Sequence, residues 1–153
     1  MTTEERIAEQ KRLIESIGRS FDKEGYQPIA GRILGLLMVM DKERFTFDEI
    51  TEELNISKSS ASNVLRNLEI RGMIEYITIP GDRKRYYQLR KRDSSSMIEE
   101  VIKMLNEKKK MFEDIIRLKA DKSSANAKHF HEMIRMMDHY LDYVKVKKES
   151  TGK

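Results

Sequence analysis

The stretch FTFDEITEELNISKSSASNVLRNL, residues 45–68, constrains the fold of this chain more than any other. Thr46 followed three residues later by Glu49 forms a capping box, and Phe45 and Ile50 are spaced as a hydrophobic staple. These two signals start a helix at Phe47, and Leu54 closes it after about two turns. Asn55 and Ile56 leave only a short connection before Ser57, whose hydroxyl can accept from a free backbone N–H at the next helix start. Ala61, Val64, Leu65 and Leu68 then recur at i, i+3, i+4 and i+7, one clean apolar stripe. Two helices separated by about three residues have helix-turn-helix spacing.

The serines of NISKSSASN look by composition like a linker, but the angles assign them to the second helix. At about 100° per residue, Ser59, Asn63 and Arg66 fall opposite the apolar stripe, with Lys58 and Ser62 flanking them. Beyond Gly72, which suits a helix end, the period changes. MIEYITI and RYYQL are rich in β-branched and aromatic residues, and Pro80-Gly81 supplies a turn between them. The expected hairpin begins its far side with Arg83-Lys84-Arg85.

The flanks read as helices. Thr2 and Glu5 open a first helix carrying Ile7, Ile14, Ile17 and Phe21 at helical spacing, which stops near Gly25. Pro28 suits the first turn of a second helix that is apolar nearly all round and therefore buried. Gly31 and Gly35 lie on one of its faces and allow another helix to come close. After the hairpin, Ser96 and Glu99 open a long helix with Met97, Val101, Met104, Met111, Ile115 and Leu118 along one side. Lys108 interrupts that stripe at one position, and DKSSANA reads as a loop. A last helix carries Phe130, Met133, Met137, Leu141 and Val144 every three to four residues. The expected fold class is mostly α with a small β-hairpin wing: a winged helix-turn-helix domain (26–92) between an N-terminal helix (1–25) and a C-terminal helical region (93–153).

Composition narrows the function classes. The 153 residues contain no cysteine, which removes thiol nucleophiles, disulfides and thiolate-ligated zinc. The N-terminus is charged from its fourth residue, and the longest apolar run, Ile33 to Met40, is too short to span a bilayer. A cytoplasmic location with no membrane association is the expectation. No Gly-rich phosphate loop or nucleophile–base motif is present, so an enzyme is not expected, nor is a cofactor. The net charge of +4 is unevenly placed. Between Asn55 and Arg92 stand nine Lys or Arg and three acids, so this segment carries +6 and the remainder −2.

That distribution and geometry point to double-stranded DNA. The start of a recognition helix lies against base edges in the major groove, where short hydroxyl side chains let the backbone approach. Ser57, Lys58, Ser59 and Ser62 have that character; Asn63 carries the donor–acceptor pair suited to adenine, and Arg66 can reach guanine or phosphate. Arg83, Lys84 and Arg85 stand where a wing meets the DNA backbone or minor groove. The flanking stripes need burial, and helices from two chains packed together would supply it. The expected dimer contacts are Ile7, Ile14, Ile17, Phe21, Val101, Met104, Met111, Ile115, Phe130, Met133, Met137 and Leu141. Packing of the same helices within one chain is the alternative.

From Gly25 to about Leu89, the motifs GRILGLL, FDEITEELNISKSSASNVLRNLEIRGMIE and GDRKRYYQL resemble the MarR-type winged-helix regulators, and more closely their GbsR-like branch. The resemblance implies a homodimeric transcription regulator, usually a repressor, that reads an inverted-repeat operator and is released by a small-molecule effector or another signal. Many wings of this type carry Asp-x-Arg with the arginine in the minor groove. Here Asp82 precedes Arg83-Lys84-Arg85, which leaves open which arginine has that part. A winged-helix module that docks on a protein partner without reading DNA is the alternative function. Two lesser candidates are discounted. His129, His131 and His139 do not have metal-site spacing, since the first two point roughly 200° apart on a helix. Met97, Met104 and Met111 could line a soft ligand pocket but read instead as adaptable core or dimer packing. The GbsR-like resemblance suggests an osmolyte-related quaternary amine as one effector, and Phe21, Tyr26 and Tyr76 could contribute to such a cation site if the fold brought them together.

Overall fold

The computed structural model describes residues 1–151 and divides into two compact units, Met1–Lys91 and Arg92–Lys153. In the first unit, α1 (Thr3–Lys23) starts on a complete capping box: the Thr2 hydroxyl accepts from Glu5 N–H, and the Glu5 carboxylate accepts from Thr2 N–H. It stops where Gly25 takes a φ of 89° and Tyr26 N–H reaches back to the Phe21 carbonyl. Pro28 then opens α2 (Pro28–Val39), whose Ile33, Leu34, Leu36 and Leu37 are all buried.

The small residues at the α1–α2 contact set its distance. A Cβ on Gly31 would lie 2.8 Å from both the Gly18 Cα and the Phe21 Cβ, and one on Gly35 would lie 3.2 Å from the Ile14 Cα. The helices therefore touch backbone to backbone, as the spacing of Gly31 and Gly35 predicts. One consequence concerns α1. Ile14 is 4% exposed and belongs to the core of its own unit, with Phe21 packed beside that core. The N-terminal helix is thus continuous with the winged-helix unit, and Ile14 is occupied within the chain. Ile17 is half-buried, while Ile7 and Leu13 stay exposed.

A short strand, β1 (Phe45–Thr46), precedes α3 (Phe47–Leu54). The Thr46 hydroxyl caps α3 by accepting from Glu49 N–H, but the Glu49 side chain turns away to pair with Lys42, so the capping box is not closed. Asn55 ends α3 in the left-handed region (φ 50°), and α4 (Lys58–Ile70) follows with Ser57 as its N-cap. Strands β2 (Ile74–Thr78) and β3 (Arg85–Leu89) form the hairpin. The sheet is antiparallel in the order β1-β3-β2, with Tyr87 opposite Phe45 on one side and Tyr76 on the other. Ile50, Leu54, Val64, Leu65, Leu68, Ile74 and Tyr87 join the α2 side chains in one core.

The second unit is a helical hairpin of α5 (Ser94–Leu118) and α6 (Ala125–Thr151). α5 begins earlier than its Ser96–Glu99 signal: Asp93 is the N-cap, and its carboxylate accepts from Ser96 N–H at 2.7 Å. Lys122 closes the other end, donating to the carbonyls of Ile116, Arg117 and Lys119. Ion pairs Glu99–Lys148 and Lys109–Asp138, with the Phe112 and Phe130 rings 5.0 Å apart, set the antiparallel register. Ile116, Ala127, Met137 and Leu141 are buried.

The stripe of α5 facing α6 is a second one, beside the stripe read from the sequence as a dimer face. Ile98, Ile102, Leu105, Phe112 and Ile116 are the buried or half-buried side of α5. Met97, Val101, Met104, Met111 and Leu118 are between 40% and 75% exposed, with Ile115 half-buried between the two stripes. On α6 the expected dimer residues Phe130, Met133, Met137 and Leu141 are buried or half-buried, with Phe130 against Phe112 inside the hairpin. Its exposed apolar side chains are instead Met136, Tyr140, Tyr143 and Val146. Among the described residues, no helix is long and apolar enough to cross a membrane.

Candidate nucleic-acid interface

The recognition helix is anchored on one side and open on the other. Ala61, Val64, Leu65 and Leu68 are at most 3% exposed, so the register of α4 is held by complete burial of its apolar stripe. Opposite them, Lys58, Ser59, Ser62, Asn63 and Arg66 are exposed, together with Asn67 and Ile70. Ser57 is exposed too, but its hydroxyl is occupied at the helix start. It accepts from Ser60 N–H at 3.2 Å and donates to the Ser60 hydroxyl at 2.8 Å. Ser59, Ser62, Asn63 and Arg66 therefore form the reading face, and Ser57 shapes its leading edge.

The turn before α4 is tied to the rest of the unit by Arg32 of α2. Its guanidinium donates to the Leu54 carbonyl at 3.0 Å, at the end of α3, and to the Glu15 carboxylate of α1 at 3.0 Å. One half-exposed arginine thus links α1, α2 and the turn that aims the recognition helix. Its signal in the sequence is faint, since an arginine in an apolar helix names no partner.

The wing is more ordered than a basic loop need be. Ile79-Pro80-Gly81-Asp82 makes a tight turn: Asp82 N–H donates to the Ile79 carbonyl at 2.9 Å, and Gly81 takes a φ of 85°. Asp82 then organises the next residues. One carboxylate oxygen accepts from Lys84 N–H at 2.9 Å, the other from the Tyr86 hydroxyl at 2.6 Å. The Tyr86 hydroxyl and then the Lys84 N–H hold Asp82 below the usual carboxylate range, and the same bond raises Tyr86 above the usual phenol.

The three wing cations are not equivalent. All three are exposed, but Arg83 and Lys84 lie in the loop, whereas Arg85 is the first residue of β3. Alternation along β3 places Arg85 on the same face as Tyr87, and its guanidinium lies 4.5 Å from the centre of the Tyr76 ring. A cleft of about 300 Å³ beside them is lined by Arg83, Lys84, Arg85 and the start of α3 at Phe47 and Asp48. Asp82 and Tyr86 were not singled out from sequence, although an Asx turn after Pro-Gly is a readable signal.

The aromatic cation site does not assemble. Phe21 and Tyr26 do meet edge to face at 5.2 Å, but the Arg71 guanidinium covers the Tyr26 ring at 4.6 Å. Tyr76 is elsewhere, paired with Tyr87 and covered by Arg85. Among the described residues, no group of three or more His, Cys, Asp or Glu gathers as a metal site.

Comparison with known proteins agrees with this geometry. Residues 24–85 match the MarR family, the span from the end of α1 to the first residue of β3. The HTH-type transcriptional regulator MmpR5 of Mycobacterium tuberculosis is 29% identical over 121 residues, which cover 79% of this chain and 73% of that protein. A crystal structure of a transcriptional regulator superposes with a TM-score of 0.72 at 25% identity, covering 94% of this chain and 98% of the other. The winged helix of this chain is thus similar to the MarR family over residues 24–85, and its fold is that of a known transcriptional regulator.

Proposed function

We propose that the chain works as a homodimeric, sequence-specific repressor of the GbsR-like branch, bound to an inverted-repeat operator and released by a small molecule or another signal. The observation that carries the reading is the two-sided character of α4. Four exposed side chains that can hydrogen-bond, Ser59, Ser62, Asn63 and Arg66, stand opposite a stripe buried to within 3%. The ordered basic wing lies in the same unit. Together they supply base-edge donors and acceptors on a helix and cations for the phosphate backbone. The exposed α5 stripe supports dimerisation, since Met97, Val101, Met104 and Met111 form an apolar face with no cover in one chain.

The test begins with selection from a pool of random-sequence duplexes. The account expects convergence on an inverted repeat whose half-site centres lie about 34 Å apart, one turn of DNA. Affinity for the selected duplex falls linearly with salt on logarithmic axes. Asn63→Ala weakens binding to it by about 1–3 kcal/mol and largely spares a random duplex. Failure to converge, with no salt-dependent binding to any duplex, would remove the reading.

Docking on a protein partner is a second reading, and one residue favours it. Ile70 is 77% exposed and follows Ser59, Asn63 and Arg66 along the same outer face of α4. If Ile70→Ser leaves DNA affinity intact yet abolishes regulation of a reporter gene, that face also serves a protein partner.

A further inference from the structure

The wing carries one thing that the general reading leaves open: which cation it presents, and what aims it. We infer that Tyr86 is a positioning residue that locks the wing turn through Asp82, so that Arg83 is presented to the DNA minor groove while Arg85 stays stacked on the Tyr76 ring and braces the hairpin. The inference rests on the DNA-binding reading above and assigns roles within it.

Three observations support this assignment. The Pro80-Gly81 turn and the two bonds to Asp82 fix the backbone on both sides of Arg83, at residues 82 and 84. Both Asp82 oxygens are engaged by donors other than Arg83, which leaves the Arg83 guanidinium exposed at the loop. Arg85 is already engaged on the Tyr76 ring, whose other neighbour is the Tyr87 ring at 6.3 Å. Reaching DNA would cost Arg85 that stacking, whereas Arg83 gives up no partner. Lys84 is exposed as well, but its compact ammonium is more strongly hydrated than a guanidinium and enters a narrow groove less readily.

The alternation of β3 explains how two adjacent residues take such different parts. Arg85 shares a face with Tyr87; Tyr87 is buried in the core while Arg85 stays exposed at the strand's start over the Tyr76 ring, and Tyr86 lies on the opposite face beside Thr46 of β1. From there its hydroxyl reaches back four residues to Asp82. The third strand thus has a role in the wing, because pairing with β1 holds Tyr86 in the strand from which it reaches the turn.

The test compares the intact protein on an A-tract duplex, whose minor groove is narrow and attracts arginine, with a G·C duplex of equal length at one salt concentration. Wild type should favour the A-tract duplex, because its narrow minor groove attracts arginine. Arg83→Ala should abolish that preference. Tyr86→Phe should reduce it at unchanged melting temperature, and adding Tyr86→Phe to Arg83→Ala should reduce it no further. Asp82→Ala, a change in an exposed turn, should reproduce Tyr86→Phe and stands in for it should that variant melt early. Arg85→Ala should weaken both duplexes alike and keep the ratio. A wild type with no preference, a Tyr86→Phe protein with the full preference, or a preference abolished by Arg85→Ala would overturn the assignment. No salt-dependent binding of wild type to either duplex would instead overturn the DNA-binding reading itself, and the wing assignment with it.

Discussion

The two units of this chain solve the burial problem differently. The unit of Met1–Lys91 closes its core within one chain: Ile33, Leu34, Leu36, Ile50, Leu65, Leu68 and Ile74 are all below 3% exposure. Among the described residues, the hairpin of α5 and α6 buries only Ile116, Ala127, Met137 and Leu141, and three of these four are less completely sealed, at 4–7% exposure. It leaves a row of methionines and aliphatics in the open along α5. A pair of helices has one mutual interface, and an apolar face wider than that interface must find a second surface or stay wet. The first unit therefore buries its core as a single copy, and the second leaves an apolar face exposed, which is what the proposed dimer would cover.

Substitutions in the first unit sharpen that contrast most. Ile33→Ala should cost about 2–5 kcal/mol, the range for emptying a sealed core site. Because Ile33 is 0% exposed in the single chain, chemical denaturation should show the same loss at low and high protein concentration. Gly31→Ala should come next, at about 1–3 kcal/mol, since the added methyl meets backbone that cannot move without separating α1 from α2. Gly25→Ala is no parallel case, because its Cβ would meet nothing within 4 Å and its cost is in the positive φ alone.

In the second unit, the ion pair of Lys109 and Asp138 should have the smallest effect. The Asp138 carboxylate, 2.6 Å away, raises Lys109 above its ordinary value. A raised folded value means that the contribution is fully present below the unfolded lysine value and is lost as the pH rises through the folded one. Thermal melting should therefore show no loss from this pair between neutral pH and pH 9, and the loss should begin only at higher pH. Lys109→Met should cost less than either variant of the first unit, because the side chain is 29% exposed and water already screens the pair. A larger loss than Gly31→Ala would mean that the hairpin depends on this pair more than its geometry indicates.

The same contrast marks where the sequence could be read and where it could not. The helix-turn-helix was legible because each signal was local: Thr46 and Ser57 as caps, the stripe of Ala61 to Leu68, the Pro-Gly turn. The Gly31 contact was legible for the same reason. The α5 interface was not, because Met97-Val101-Met104-Met111 and Ile98-Ile102-Leu105-Phe112 have the same spacing one residue apart. Period alone does not choose between stripes that lie about 100° apart on one broad apolar face. Nor does it give β1, two residues long, which exists because β3 offers it a partner. The packing of Ile14 within its own unit was not legible for a related reason. Its stripe is a valid packing face, and only the glycines opposite it decide that the partner is α2.

In the candidate site, the residue types were legible and their division of labour was not. Ser57 reads as a possible DNA contact until its hydroxyl is found committed to Ser60, and Arg85 reads as a wing-tip cation until Tyr76 is found beneath it. Both distinctions depend on contacts between residues that composition weighs equally.

The contrast between a unit complete in one chain and a unit that we propose a second copy completes is tested most directly by sedimentation velocity on the wild type and on Met104→Lys at micromolar concentration. The account predicts a wild-type dimer and a Met104→Lys monomer with unchanged helical content, because the new charge sits on the exposed α5 stripe and outside the contact with α6. A wild type that sediments as a monomer, or a Met104→Lys protein that remains a dimer, would contradict it.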